Sequence, residues 1–160
     1  MAGALWTFDP PYPEDYHARS PKVIVVGAEP NDEGAEKLPR RDMGVVIRVQ
    51  SAGGKYRRYH QETLRQVRAV LPDGAHLSDE DVLKHLRYID LKATGGGGKA
   101  NPKEVTAWVR EPEHLQQVVG YWLNDGPKYT VLQGGIVQEV FEEIVARSLR
   151  ASNVEGLKVG

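Results

Sequence analysis

Apolar and polar positions along the chain follow two different periods, and the switches between them set out a succession of strands and helices. Val23-Ile24-Val25-Val26 is an unbroken β-branched run closed by Gly27, the pattern of a strand buried on both faces. Tyr88 to Leu91 and Tyr129 to Leu132 read as the second and third core strands, and Val154 to Val159 as a last, edge strand. Val45 to Val49 reads as a short strand or an extended loop. Helical spacing takes over from Gln61, where Leu64, Val67 and Leu71 share a face until Pro72-Asp73-Gly74 ends the run. Ser78 followed by Asp81 is a capping pattern that opens the next helix, through Val82, Leu83 and Leu86. Asn101-Pro102 supplies a cap and a first-turn proline to a third, carrying Val105, Trp108 and Val109. Pro112 breaks it, and a further helix carries Leu115, Val118, Val119 and Trp122. After Gly134-Gly135, the residues Ile136, Val137, Val140, Phe141, Ile144 and Val145 line one face of a strongly amphipathic helix.

Strands that alternate with helices imply parallel pairing through right-handed crossovers. The expected fold class is α/β, a three-layer α/β/α sandwich around a short, mainly parallel four-stranded sheet. With 160 residues the chain is read as one domain, 1–160. Residues 1–21 are rich in proline and aromatics and predict an extended N-terminal arm over the core. Asn31 to Gly44 is polar, carries Pro39 and predicts a long loop. Gly95 to Gly98 forms the one low-complexity stretch.

Composition narrows the function classes. A hydrophobic fraction of 40% and a charged fraction of 27% are ordinary for a globular chain. No apolar run approaches the roughly 20 residues of a membrane span. No basic and then apolar leader follows Met1, so cytoplasmic residence and no membrane partner are the expectations. Zero cysteines exclude thiolate nucleophiles, disulfides and cysteine-ligated metals or clusters. The five histidines, His17, His60, His76, His85 and His114, show no metal-ligand spacing, and neither a metal nor a cofactor is expected.

Three constellations carry candidate chemistry. Glu29 stands at the carboxyl end of the first strand, where open α/β sheets place their sites, and Pro30 restrains its backbone. A carboxylate there can orient water or balance a cationic transition state, and Asp32, Glu33 and Asp42 follow it. The segment from Arg48 to Arg68 also holds Lys55, Arg57, Arg58 and Arg65, opposed by Glu62 and interleaved with Tyr56 and Tyr59. Cations for phosphates beside rings for bases suit nucleic acid, although the net charge of −1 makes the basic character local. A solvated helix face is the plainer reading of the same residues. Asp90, at the second strand's end, is followed by Lys92, the glycine run, Lys99 and Asn101. Ala100 after Lys99 breaks the phosphate-loop pattern.

The order of these segments resembles the uracil-DNA glycosylase superfamily. The likeness rests on Gly27-Ala28-Glu29-Pro30-Asn31, on Tyr88-Ile89-Asp90-Leu91-Lys92 followed by Asn101-Pro102-Lys103-Glu104, and on Thr130-Val131-Leu132-Gln133-Gly134-Gly135 before a helix. It spans about Lys22 to about Leu149. The resemblance implies Glu29 in the catalytic place, with Asp90, Asn31, Tyr56, Tyr59 and Asn101 around the base. Arg57, Arg58, Lys92 and Lys99 would take phosphates. Members usually end with a His-Pro-Ser type motif, and no histidine follows His114 here. Glu replaces the usual Asp or Asn at position 29, and Asp the usual Asn at position 90. A base pocket with Asp90 should prefer a donor-rich edge, such as an amino group, to the uracil imide.

The implied activity is hydrolysis of the N-glycosidic bond of a damaged or deaminated base flipped from single- or double-stranded DNA, as in base-excision repair. Two alternatives stay open: a non-catalytic nucleic-acid-binding module of the same fold, and a nucleotide- or nucleoside-processing α/β enzyme.

Overall fold

The computed structural model describes residues 5–30, 41–54, 56–95 and 99–152. Three strands, β1 (Val23–Gly27), β2 (Leu86–Asp90) and β3 (Tyr129–Leu132), form a parallel sheet in the order β2-β1-β3. The β-branched run takes the centre, the position that demands apolar side chains on both faces: Val23 to Val26 are completely buried. In register, Val25 faces Tyr88 and Val131, and Gly27 faces Asp90. Residues 154–159, read as a fourth strand, lie outside the described residues, as do Asn31 to Arg40 and Gly96 to Gly98.

Among the described residues eight α-helical segments surround the sheet: α1 (Pro13–Ala18), α2 (Met43–Ala52), α3 (Arg57–Val70), α4 (Asp79–Leu83), α5 (Pro102–Arg110), α6 (Pro112–Asp125), α7 (Gly135–Val140) and α8 (Ala146–Ala151). A π-helical turn over Phe141–Val145 joins the last two. The expected caps form: Ser78 Oγ accepts from the Asp81 amide at 3.1 Å, and Asn101 Oδ1 from the Lys103 amide at 2.9 Å.

Three expectations are corrected. Leu86 does not continue the helix opened by Ser78: α4 ends at Leu83, and Leu86 is the first residue of β2. Val45 to Val49 is helical, within α2, rather than a strand or an extended loop. Asp42 caps that helix by accepting from the Gly44 amide at 2.8 Å, and Met43, Val46 and Ile47 are buried at helical spacing, so packing overrides β-branched propensity. The N-terminal arm is not extended throughout, since Pro13 to Ala18 forms α1, with Pro13, Glu14 and Asp15 in a first turn that suits all three. Further upstream the arm is a strap: the Trp6 amide donates to Ala93 O at 2.8 Å, and the Met43 amide to Thr7 O at 2.9 Å. Gly44 permits the passage, because a Cβ there would strike the backbone of Asp9 and Pro10.

Side chains of β2 alternate between two differently furnished faces. Tyr88 meets Tyr59 of α3, whereas Arg87 meets Asp125 of α6, its Nε 2.7 Å from Oδ2. Arg87 also donates to Phe8 O at 2.9 Å, and the Tyr16 hydroxyl donates to Asp125 at 2.8 Å. This buried pair therefore ties the sheet to α6, the arm and α1. Among the described residues no helix is long and apolar enough to cross a membrane.

Arg87→Ala strands the Asp125 carboxylate and is expected to cost about 3–5 kcal/mol in urea unfolding. The double replacement Arg87→Met, Asp125→Leu is expected to lose less than Arg87→Ala alone, because no charge is left behind.

Candidate functional site at the carboxyl ends of the strands

The backbone pairing of β1 continues past the strand ends and positions the site. The Leu91 amide donates to Gly27 O at 3.0 Å and the Lys92 amide to Ala28 O at 2.9 Å. On the other edge the Gln133 amide donates to Val26 O at 3.0 Å. Glu29, Lys92 and Gln133 are thus brought together by main-chain geometry before any side chain contributes.

Lys92 Nζ lies 3.0 Å from Glu29 and 3.1 Å from Glu104 at the start of α5. Burial works to lower the basicity of this ammonium, but the hydrogen bonds and charges of Glu29 and Glu104 outweigh it and raise the pKa. The Glu29 and Lys92 side chains are only 10% and 11% exposed, so their pairing is weakly screened by solvent.

Asp90 is 2% exposed, and its Oδ2 has no hydrogen-bond partner. Burial first, and then the nearby Glu29 charge, push its pKa well above the ordinary 3.8. Burial and the Glu29 charge thus both favour the protonated form of Asp90, the form that can donate as well as accept. Gly27 makes room for it, since a Cβ at this position would collide with Asp90 Oδ1 and the Tyr88 hydroxyl.

The Tyr88 hydroxyl donates to Gln133 Oε1 at 2.7 Å and lies 3.0 Å from the Tyr59 hydroxyl. Gln133 Nε2 donates to Thr63 and Gln66 on α3, both at 2.9 Å, which fixes the amide's orientation. Burial raises the pKa of both tyrosines. On the same helix His60 is 6% exposed, with Nε2 2.9 Å from Gln50 Oε1. That contact places the proton on Nε2 and leaves Nδ1 as an acceptor without a partner. Burial lowers the His60 pKa to about 4.

These groups surround a cavity of about 400 Å³. Trp6, Tyr56, Tyr59 and Tyr88 give it aromatic walls, and Glu29, Asp90, His60 and Gln50 its polar groups. Size, aromatic lining and a few convergent polar atoms are the features of a small-molecule site. A carboxylate salt-bridged to a lysine beside a carboxyl whose pKa is pushed up sets two acids of opposite tendency in one crevice.

No family model, curated protein or solved structure matches this chain. Chemical interpretation therefore rests on the geometry above.

Of the residues singled out in the sequence, Glu29, Asp90, Tyr56 and Tyr59 meet in the cavity. Lys92 adjoins it, its ammonium committed to two carboxylates rather than open to phosphate. Asn101 spends its side-chain oxygen capping α5 and is exposed, and Lys99 is exposed on the surface. Arg57 and Arg58 are exposed in the first turn of α3, next in sequence to Tyr56 and Tyr59. Asn31 lies outside the described residues. Among the described residues no cluster of three or more His, Asp or Glu could hold a metal ion. Sequence reasoning missed Trp6, Gln50, His60, Tyr88 and Gln133. For His60 a signal existed, because it opens the buried helical series His60, Thr63, Leu64, Val67.

The two shifted groups tilt stability against pH in opposite directions. Folded Asp90 keeps its proton to higher pH than the unfolded chain does, so its contribution is complete below about pH 4 and declines as pH rises. Asp90→Asn is expected to raise the melting temperature at pH 7.5, corresponding to about 1–3 kcal/mol, with little effect near pH 4. Folded His60 resists protonation, so its contribution is complete above pH 6.5 and is lost towards pH 4. His60→Gln is expected to remove up to about 3 kcal/mol of that acid-side loss in melts recorded across this window.

Proposed function

We propose that this chain is a DNA glycosylase-like hydrolase that cleaves the N-glycosidic bond of a damaged or deaminated base. The observation that carries the reading is the Glu29 carboxylate, held by Lys92 in an aromatic-walled cavity at the ends of β1 and β2. A flipped nucleotide enters this cavity and stacks against Tyr59 or Tyr56. Glu29 orients water towards the sugar carbon and balances the positive charge that develops as the bond to the base breaks. Neutral Asp90 hydrogen-bonds the base, acting as the amide of an Asn would.

Phosphates bind outside the cavity. The first turn of α3 carries Arg57 and Arg58, no acid and no side-chain cap, so two cations add to the positive end of a 14-residue helix. In the same reading the fold is a three-layer arrangement, supported by α3 and α6 on opposite faces of the sheet. DNA repair in the cytoplasm is the corresponding cellular role.

A catalytically silent nucleic-acid-binding module is the second reading, favoured by the extent to which Lys92 already occupies Glu29. Base release from labelled oligonucleotides, assayed under single-turnover conditions, separates the two. The hydrolase reading expects release that falls at least about 100-fold in Glu29→Gln. Release equal in native and variant protein removes Glu29 from the chemistry, and salt-dependent binding with no release selects the module. In either case Arg57→Ala with Arg58→Ala is expected to flatten the dependence of log affinity on log salt by about 2.

A further inference from the structure

The charge balance of the cavity narrows what it can hold. Glu29 lines it, and among the described residues no lysine or arginine does. Lys92 stands behind Glu29 but is shared with Glu104, so these three groups together carry one negative charge. Asp90 registers that field, since the Glu29 charge helps keep it protonated. His60, neutral above about pH 4, adds no positive charge. Around this negative centre stand Trp6, Tyr56, Tyr59 and Tyr88, whose ring faces are the electron-rich surfaces that attract cations. Phosphate is repelled from such an interior, whereas a flat ring bearing positive charge gains from both the walls and the carboxylate.

We propose that the cavity selects a cationic heteroaromatic ring, a nucleobase alkylated on a ring nitrogen, with Glu29 as its counter-ion and the aromatic walls as its cage. This rests on the glycosidase reading and names the class of base. It also accounts for a cavity whose lining, among the described residues, offers no lysine or arginine to a departing anion. In an N-alkylated base the bond between the sugar carbon and the ring nitrogen breaks with its electron pair going to that nitrogen. The positive ring charge is thereby cancelled and the base departs neutral. Water forms the new bond to the sugar carbon and gives its proton to Glu29, which passes it to solvent. Stabilisation of a base anion is not required.

The test compares calorimetric binding of 7-methylguanosine and 1-methyladenosine with guanosine and adenosine at about pH 6, where both methylated rings are cationic. The methylated compounds are expected to bind at least about tenfold more tightly. Glu29→Gln and Tyr59→Leu should each largely abolish the preference, while Tyr59→Phe, which keeps the ring, should retain it. If Tyr59→Leu fails to fold, the Glu29→Gln and Tyr59→Phe results decide. Equal or weaker binding of the methylated compounds, or binding of none of the four, overturns the inference. A parallel assay uses a duplex containing 7-methylguanine and its unmethylated counterpart. A methyl preference in binding without release of 7-methylguanine keeps the inference and removes hydrolysis. Release of uncharged bases with no methyl preference keeps hydrolysis and removes the inference. Tighter binding of the modified duplex than of free 7-methylguanosine assigns the ring to nucleic acid rather than to a free nucleoside.

Discussion

The main chain of β1 is hydrogen-bonded along both edges, and that pairing runs beyond the strands on either side. The rest of the molecule depends on this constraint. A strand so completely covered has no water to satisfy its amides and carbonyls, so its neighbours must supply every partner in register. Once they do, the residues that leave the sheet at its carboxyl end are fixed to within a hydrogen-bond length. Glu29 and Lys92 face each other because Ala28 O receives the Lys92 amide. Gln133 reaches the tyrosines because Val26 O receives its own amide.

The two faces of the sheet treat buried charge differently. Around Arg87, donors and acceptors are matched: Asp125, Tyr16 and Phe8 O satisfy one another, and the group serves to lock elements together. Around Glu29 the matching is incomplete. Asp90 Oδ2 and His60 Nδ1 have no partner although both residues are nearly inaccessible. An unpaired polar atom in a covered site is costly, and its retention beside a cavity marks the face where a ligand supplies what the protein leaves out.

Much of this was legible in the sequence. The β-branched run of β1, the caps at Ser78 and Asn101 and the breaks at Pro112 and Gly134 act through local chemistry, and the elements they predict are present. Glu29 and Asp90 were legible because a carboxylate at the end of a core strand has few places to go. The failures involve groups whose conformation is decided far away in sequence. Helix α2 forms from β-branched residues because the arm and sheet bury one side of it, and α1 interrupts a proline-rich arm because Tyr16 finds Asp125, 109 positions later. The upward shift of the Asp90 pKa was illegible for the same reason, since it depends on burial that only the assembled fold creates.

Trp6 gives the strap a further consequence. Its indole is one wall of the cavity, yet its backbone is held through the Ala93 carbonyl, and the arm continues to the Thr7 contact with α2. When the arm detaches, the cavity loses a wall, so a ligand that needs this wall binds only the docked state. Detachment of the strap and occupancy of the cavity are then linked equilibria: each bound molecule draws the arm down, and each local opening of the arm lowers the affinity for the molecule. The docking of the strap around Trp6 and Thr7 is in this sense part of the binding constant.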